Sequence, residues 1–221
     1  MASLPNASLP IVVLISGSGT NLQALIDSQR NGQLKVDIRA VISNRPEVKG
    51  LERATQAGIA TEVIDHTTFD SREAFDHALM SAIDHYQPQL VVLAGFMRVL
   101  TAEFVNHYLG RLVNIHPSLL PKYPGLHTHQ RALDAGDAKH GVTVHFVTPQ
   151  LDGGPAIIQA EVAVVADDNA DSLAARVLQQ EHRIYPQAIQ WYAEGRLTLQ
   201  DNIALLDREP LPATGYLISK A

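Results

Sequence analysis

The chain has no cysteine among its 221 residues. Thiolate zinc sites, a catalytic thiol and disulfide cross-links are therefore excluded. Since 46% of the residues are hydrophobic, a chain of this length can bury a core that is large enough to fold without such cross-links.

Three other features are lacking. No apolar run reaches the length of a membrane span, and residues 1–10 have neither the basic region nor the apolar segment of a secretion signal. The formal net charge is −6, and no basic stripe typical of nucleic-acid-binding proteins is visible. We therefore expect a cytoplasmic protein that binds small molecules and neither nucleic acids nor membranes.

Strand-like and helix-like segments alternate through the first half of the chain. Short apolar runs predict buried strands at 11–15 and 90–94, and two further strands are predicted at 38–42 and 61–65. Helical patterns separate these runs, for example over 21–29 and 51–57. This alternation predicts an α/β fold with a Rossmann-like open sheet, parallel in its N-terminal half and with helices on both faces.

The second half of the chain follows a different pattern. Val142, Val144 and Phe146 alternate with Thr143 and His145, and a second β run at 157–165 follows without an intervening helix. Neighbouring strands without a helix between them predict antiparallel pairing at a C-terminal edge, which makes the sheet mixed. A long amphipathic helix at 171–193 and a short strand at 196–200 complete the predicted elements.

Asn114 and His116 are the most informative pair of polar residues. They are two positions apart at the end of an apolar strand, so their side chains project to the same face. Pro117 and Pro121 follow, and because proline has no N–H the strand cannot continue through them. An amide donor beside a titratable ring suits a reaction with a developing oxyanion and a proton transfer. The alternative is a strand whose two polar end residues only cap a turn.

A glycine-rich loop, Ser16 to Asn21, separates the first predicted strand from the first predicted helix. Glycines allow close approach of a ligand, and the free N–H groups of a helix N-terminus favour an anion. The loop lacks the third glycine of the dinucleotide fingerprint and the lysine of a Walker A loop, which favours a monophosphate. A tight glycine turn without a ligand is the alternative.

Asp152 lies in an Asp-Gly-Gly segment between the two late β runs. A carboxylate there could reach His116 and favour the charged form of its ring. The alternative is an ordinary hairpin turn, which this tripeptide also suits.

Three further histidines, His127, His129 and His145, allow a metal site with Asp152. No His-Glu-x-x-His helix accompanies them, so we expect no metal.

These motifs together resemble a known family, the phosphoribosylglycinamide formyltransferases that use 10-formyltetrahydrofolate. The resemblance runs from about Ile11 to Gly215. It rests on the segments Gly17 to Asn21, Ala94 to Arg98, Asn114 to Pro121, His145 to Val147 and Leu151 to Pro155. It implies transfer of a formyl group from that co-substrate to the amine of glycinamide ribonucleotide in purine biosynthesis.

The resemblance also implies roles for individual residues. The implied catalytic residues are Asn114, His116 and Asp152. The ribonucleotide phosphate and ribose would be held by Gly19, Thr20, Asn21 and Glu181. The folate would be contacted by Arg72, Met97, Arg98, Val99, Leu100, Asn114, Thr148, Pro149, Gln150, Leu151 and Asp152. For Met97 and Leu100 a place in the core is the alternative, and for Arg72 and Glu181 it is a solvated helix surface.

Under this interpretation the chain is a single formyltransferase domain, 1–221. Residues 11–110 form its mononucleotide-binding half, residues 111–200 its catalytic and folate-binding half, and 1–10 and 206–221 irregular tails. We expect a monomer or a weak homodimer, and we hypothesise a cis peptide bond between Leu120 and Pro121.

The main alternative function is that of a 10-formyltetrahydrofolate hydrolase (deformylase), which carries an added N-terminal domain. Formylation of initiator methionyl-tRNA would call for a basic surface, and a non-catalytic nucleotide-binding module would not need the catalytic set.

Overall fold

The computed structural model describes residues 8–218, which form two compact units divided between Arg98 and Val99. Each unit has its own strands and helices.

The first unit contains four parallel strands with helices between them. In chain order the elements are β1 (Leu9–Ile15), α1 (Thr20–Arg30), β2 (Val36–Ser43), α2 (Lys49–Gln56), β3 (Ala60–Val63), α3 (Arg72–His85) and β4 (Leu90–Leu93). A short 3-10 helix, His66–Thr68, precedes α3. The strands are arranged β4-β1-β2-β3, and the registers of all three pairs are parallel. The N-terminal alternation therefore has the form that the sequence predicted.

Strands β1 and β4 of this unit are hydrophobic along their whole length. Every residue of β4 is buried, and so is nearly every residue of β1. Strands with both faces covered are expected to be continuous apolar runs rather than alternating ones. The edge strand β3 is mostly exposed by contrast.

The second unit contains a mixed set of strands and one long helix. Its elements are α4 (Ala102–His107), β5 (Leu112–His116), α5 (Thr128–Asp134), β6 (Lys139–Phe146), β7 (Ala156–Ala163), α6 (Ala170–Ala193), β8 (Leu197–Gln200), β9 (Ile203–Leu206), β10 (Glu209–Pro210) and β11 (Tyr216–Ile218). β6 pairs antiparallel with β7, as predicted, and also pairs antiparallel with β5. β8, β9 and β10 form a separate small antiparallel sheet.

The two predicted irregular tails require correction. Strand β1 already begins at Leu9, because the N–H of Leu9 donates to the carbonyl of Lys35 at 3.0 Å and the carbonyl of Pro10 accepts from Gln89 at 2.8 Å. At the other end, Tyr216 to Ile218 pair in parallel with β7. Both pairings are with distant parts of the chain, so local sequence periodicity does not predict them. Residues 1–7 and 219–221, which also belonged to the predicted tails, lie outside the described residues.

Among residues 8–218, no helix is both long and apolar enough to cross a membrane.

Candidate active site

The register of β5 against β6 places two pairs of polar residues on one face of the second unit. Asn114 is paired with His145, and His116 is paired with Thr143. Directly paired residues point to the same side of a sheet, and so do residues two positions apart. The polar face that Asn114 and His116 were predicted to share therefore continues onto the neighbouring strand, β6.

Both ring nitrogens of His116 face oxygen acceptors. Its Nε2 lies 2.8 Å from the backbone carbonyl of Tyr123, and its Nδ1 lies 3.5 Å from Oδ2 of Asp152. A carbonyl can only accept, so Nε2 carries a proton. Nδ1 faces the carboxylate of Asp152, so a proton carried on Nδ1 points at that group.

Asp152 lies in the turn between β6 and β7, with its backbone at a φ of 49°. Its Oδ2 accepts a hydrogen bond from the N–H of Gly125 at 2.8 Å. Gly154 closes the turn, and a Cβ at that position would overlap the carbonyl oxygen of Phe146. The Asp-Gly-Gly segment thus forms a turn, as its composition allows, and also brings its carboxylate to His116.

His145 orients the amide of Asn114. Burial lowers the pKa of His145 below its ordinary value, which favours the neutral ring. Its Nδ1 is 2.8 Å from the carbonyl of Phe146 and therefore donates to it. Its Nε2 is left to accept from Nδ2 of Asn114 at 3.3 Å. One amide hydrogen of Asn114 is used in this way, and within residues 8–218 the second has no acceptor.

The role of His145 could have been inferred from sequence only in part. The alternation along β6 predicts that Thr143 and His145 share a face, but the register with Asn114 and His116 is a tertiary feature. The contacts from Tyr123 and Gly125 to the catalytic candidates carry no sequence signal, because they are made by backbone groups.

A cavity of about 560 Å³ lies within the second unit. It is lined by the segment from Asp152 to Ala156, by Leu120 and Pro121, and by residues of β9 and the segment after it. Of the predicted site residues, Asp152 alone lines it. The peptide bond between Leu120 and Pro121 is cis, as hypothesised.

The glycine-rich loop of the first unit connects β1 to α1, and the predicted residues are at the start of the helix. Thr20 is the first residue of α1, and Gly19 precedes it with a φ of 67°. A Cβ on Gly19 would lie 2.6 Å from Cα of Gly50. The loop therefore requires glycine at this position for two reasons, its positive φ and the close approach of a second backbone.

Two residues of α2 support this loop and were missed by sequence reasoning. The N–H of Gly50 donates to the carbonyl of Gly17 at 3.0 Å, and Nε of Arg53 donates to the carbonyl of Ser18 at 2.9 Å. Arg53 also brings a positive charge to the loop, which suits an anion. Neither residue belongs to a recognisable motif.

The folate candidates of the first unit differ in their surroundings. Met97 has 64% of its surface exposed, which argues against the alternative that it is a core residue. Its N–H donates to Oγ of Ser16 at 2.7 Å. The guanidinium of Arg98 lies over the ring of Phe75, 5.8 Å from its centre. Arg72 is exposed at the first position of α3.

The predicted ligand-binding residues of the second unit also differ in how exposed they are. Val99, Pro149, Gln150 and Leu151 are exposed, whereas Leu100 and Thr148 are partly buried. Glu181 is on α6 and only 9% exposed, which argues against a solvated helix surface.

Among the described residues, no group of three or more histidine, aspartate or glutamate side chains could hold a metal ion. Two of the other histidines pair with each other, since Nδ1 of His129 lies 3.1 Å from Nε2 of His140. Burial is the largest cause that lowers the pKa of His140 to about 4.

Comparison with known proteins shows the family of this chain. A sequence model of the formyl transferase family matches residues 9–189. The phosphoribosylglycinamide formyltransferase of Escherichia coli is 59% identical over 206 residues, which are 93% of this chain and 97% of that protein. The Haemophilus influenzae protein of the same name is 47% identical, with the same coverage of both chains.

The fold comparison agrees. The solved structure of the Coxiella burnetii phosphoribosylglycinamide formyltransferase superposes with a TM-score of 0.93 at 54% identity, covering 96% of this chain and all of that one. This similarity confirms the predicted α/β fold class with a mixed sheet. The chain therefore belongs to the formyl transferase family and, within it, to the phosphoribosylglycinamide formyltransferases of purine biosynthesis.

Proposed function

We propose that this protein transfers the formyl group of 10-formyltetrahydrofolate directly to the amine of glycinamide ribonucleotide. The amine attacks the formyl carbon and forms the new C–N bond, while the carbonyl oxygen takes up negative charge. Collapse of this tetrahedral species breaks the bond from carbon to N10 of the folate. The proton lost by the amine is delivered to N10, so atoms and charges balance.

Asn114 is the proposed oxyanion donor. Its Nδ2 is oriented by His145 at 3.3 Å, and its second hydrogen is proposed to bind the oxyanion. A donor that is oriented before the reaction stabilises the developing charge without reorganisation, and one such donor contributes about 10²- to 10³-fold in rate.

His116 and Asp152 are proposed to supply positive charge and to transfer the proton. The ring of His116 is held between the Tyr123 carbonyl and the Asp152 carboxylate. An imidazolium in this position can stabilise the oxyanion, and the carboxylate can accept the amine proton directly or through an ordered water.

The ligand-binding roles follow the same elements. The loop at Gly19, Thr20 and Asn21 presents the N-terminus of α1, which suits the ribonucleotide phosphate. Glu181 is proposed to accept hydrogen bonds from the ribose hydroxyls. The folate is proposed to contact the segments 97–100 and 148–152 and to place its glutamate carboxylate near Arg72.

The observation that carries this proposal is the geometry of His116, with acceptors on both ring nitrogens and a carboxylate as one of them. This arrangement fixes the orientation of the ring beside a carboxylate, as proton transfer requires, and a strand end that only caps a turn does not need it.

The test is the formation of tetrahydrofolate from 10-formyltetrahydrofolate, followed by absorbance with and without glycinamide ribonucleotide. We expect turnover only when the ribonucleotide is present. Equal turnover without it would identify the protein as a hydrolase and contradict the proposal.

A further inference from the structure

A row of three polar side chains crosses the strands of the second unit, beginning at His116. His116 on β5 is paired with Thr143 on β6, and Thr143 is paired with Gln159 on β7. Direct cross-strand partners share a face, so all three lie side by side. The proposed mechanism uses only the first of them.

Thr143 and Gln159 are polar residues within the core. Thr143 has no exposed surface and Gln159 has 4%. Burying a hydroxyl and an amide is unfavourable unless their hydrogen-bonding groups are satisfied. The polar character of Thr143 and Gln159 must therefore be explained by the groups that they bind.

Both side chains bind the backbone of the turn that follows His116. Oγ1 of Thr143 donates to the carbonyl of Ser118 at 2.7 Å and accepts from the N–H of Leu120 at 3.1 Å. Nε2 of Gln159 donates to the carbonyl of Leu120 at 2.8 Å and to Oγ1 of Thr143 at 3.0 Å. The hydroxyl thus uses its donor and both acceptor positions, and the amide nitrogen uses both hydrogens.

This turn leads directly to the groups that orient the catalytic candidates. The carbonyl of Tyr123 accepts from Nε2 of His116 at 2.8 Å, and the N–H of Gly125 donates to Asp152 at 2.8 Å. Two backbone groups, two residues apart, therefore orient both His116 and Asp152. Displacement of Ser118 and Leu120 would displace these groups too, because only a few residues separate them.

We propose that Thr143 and Gln159 are positioning residues, which hold the turn after His116 so that the Tyr123 carbonyl keeps the His116 ring directed at Asp152. Neither side chain touches a reacting atom in this role. The inference rests on the proposed function, because it assigns these residues to the orientation of the same site.

The test compares Thr143→Val with Thr143→Ser. Valine keeps the shape of threonine but has no hydroxyl, whereas serine keeps the hydroxyl. A displacement of about 1 Å in a catalytic group can cost on the order of 10²-fold. We therefore expect kcat to fall about tenfold to 100-fold in Thr143→Val with both KM values nearly unchanged, and to recover in Thr143→Ser. Gln159→Leu should show the same fall in kcat as Thr143→Val. It replaces Thr143→Val in the test if that variant does not fold.

Val144→Ala is the control for loss of stability alone. Val144 is fully buried on the same strand but points to the opposite face. We expect this variant to be less stable than the wild type while its kcat stays close to the wild-type value.

A second measurement does not depend on activity. In the ligand-free protein, NMR should detect a slowly exchanging Nε2–H proton on His116 in the wild type and in Thr143→Ser, and not in Thr143→Val or Gln159→Leu. A Thr143→Val protein that keeps this proton, or that keeps the wild-type kcat, would overturn the positioning role. If the wild type itself shows no ribonucleotide-dependent turnover, the proposed function fails, and the NMR comparison still decides the positioning role.

Discussion

At the scale of single residues, the site depends on backbone groups as much as on side chains. Tyr123 contributes its carbonyl and Gly125 its N–H, and these contacts determine how His116 and Asp152 face each other. The segment is held in turn by Asp137, whose carboxylate accepts from the Tyr123 hydroxyl at 2.8 Å. The candidate side chains Asn114, His116 and Asp152 could be singled out from the sequence because their types and spacing form a motif. The backbone contacts could not, since any residue type can make them.

Asp152→Asn tests the partnership with His116. The amide keeps the size of the carboxylate but loses the negative charge 3.5 Å from Nδ1 of His116. We expect kcat to fall by about 10²-fold or more, the order found when a catalytic electrostatic contact is removed, with little change in the folded state. Steady-state kinetics with both substrates, together with circular dichroism, measures this.

The matched control is Asp201→Asn. Asp201 also has a φ of 49° in a turn, and it is exposed. This control should keep wild-type kinetics. An Asp152→Asn enzyme with the wild-type kcat would refute the role of the carboxylate.

His140 makes the stability of the fold depend on pH. Its pKa is lowered from 6.5 to about 4, chiefly by burial and then by the neighbouring His129. Above pH 6.5 the ring is neutral in both the folded and the unfolded chain. Between these two values the unfolded chain binds a proton that the folded protein does not, so the free energy of unfolding falls as the pH falls. The contribution is at most about 1.4 kcal/mol for each unit of pKa difference.

His140→Gln should therefore lose less stability than the wild type between pH 7 and pH 4.5, because glutamine does not titrate. Urea unfolding at several pH values measures the difference, and His77→Gln on the exposed surface of α3 is the control. Identical pH dependence in His140→Gln and the wild type would show that this ring does not contribute.

At the scale of secondary-structure elements, the loop from β1 to α1 is a place where local sequence predicts a local structure. Gly19 was predicted to lie in the loop before the first helix, and it is the residue before α1, with a left-handed backbone. The sequence did not predict that Gly50 of α2 would pack against it. Contacts of this kind depend on which helices become neighbours, and local periodicity carries no information about that.

Gly19→Ala should weaken ribonucleotide binding. A non-glycine residue with this positive φ costs about 1–2 kcal/mol, and the new Cβ would lie 2.6 Å from the backbone of Gly50. The loop must move to relieve this contact, so we expect the KM for glycinamide ribonucleotide to rise about tenfold or more. Gly17→Ala is the control, because a Cβ there meets nothing within 4 Å. A larger effect on KM in Gly17→Ala than in Gly19→Ala would contradict this explanation.

The start of α6 gives a prediction about stability alone. Asn169 caps the helix through a hydrogen bond from the N–H of Ser172 at 2.9 Å. The adjacent Asp168 binds Arg176 through both carboxylate oxygens, at 2.7 Å each. These contacts hold the pKa of Asp168 well below its usual range. Removing such a cap typically costs about 1 kcal/mol.

Asn169→Ala should therefore lower the free energy of unfolding by about 1 kcal/mol while kcat stays unchanged. Urea unfolding measures the first effect and the formyl transfer assay the second. Gln179→Ala, at an exposed position within the same helix, should leave both close to the wild type. If Asn169→Ala destabilised no more than Gln179→Ala, the cap would not contribute.

At the scale of the whole molecule, the order of strands and helices was largely predictable and the ends were not. Continuous apolar runs predicted parallel strands, and adjacent β runs without a helix predicted antiparallel ones. Strand β11, by contrast, is held by its pairing with β7. It has a weak pattern of its own, and its two exposed residues, Tyr216 and Leu217, resemble those of a loop.

The family could be predicted because its motifs are short, ordered and nearly all local. The match over 93% of the chain to the Escherichia coli enzyme agrees with them. The motifs alone do not determine the reaction at Asn114, His116 and Asp152, because that reaction depends on which molecule binds there. Formyl transfer and hydrolysis differ only in the acceptor, an amine or water.

The most direct test follows the formyl carbon. The protein is given 10-formyltetrahydrofolate labelled with ¹³C in the formyl group, together with glycinamide ribonucleotide, and the products are identified by ¹³C NMR. We predict that the label appears on the glycinamide nitrogen, in step with the tetrahydrofolate that is released, and that Asn114→Ala slows this by about 10²- to 10³-fold. Label that accumulates as free formate while the ribonucleotide stays unchanged would contradict the account.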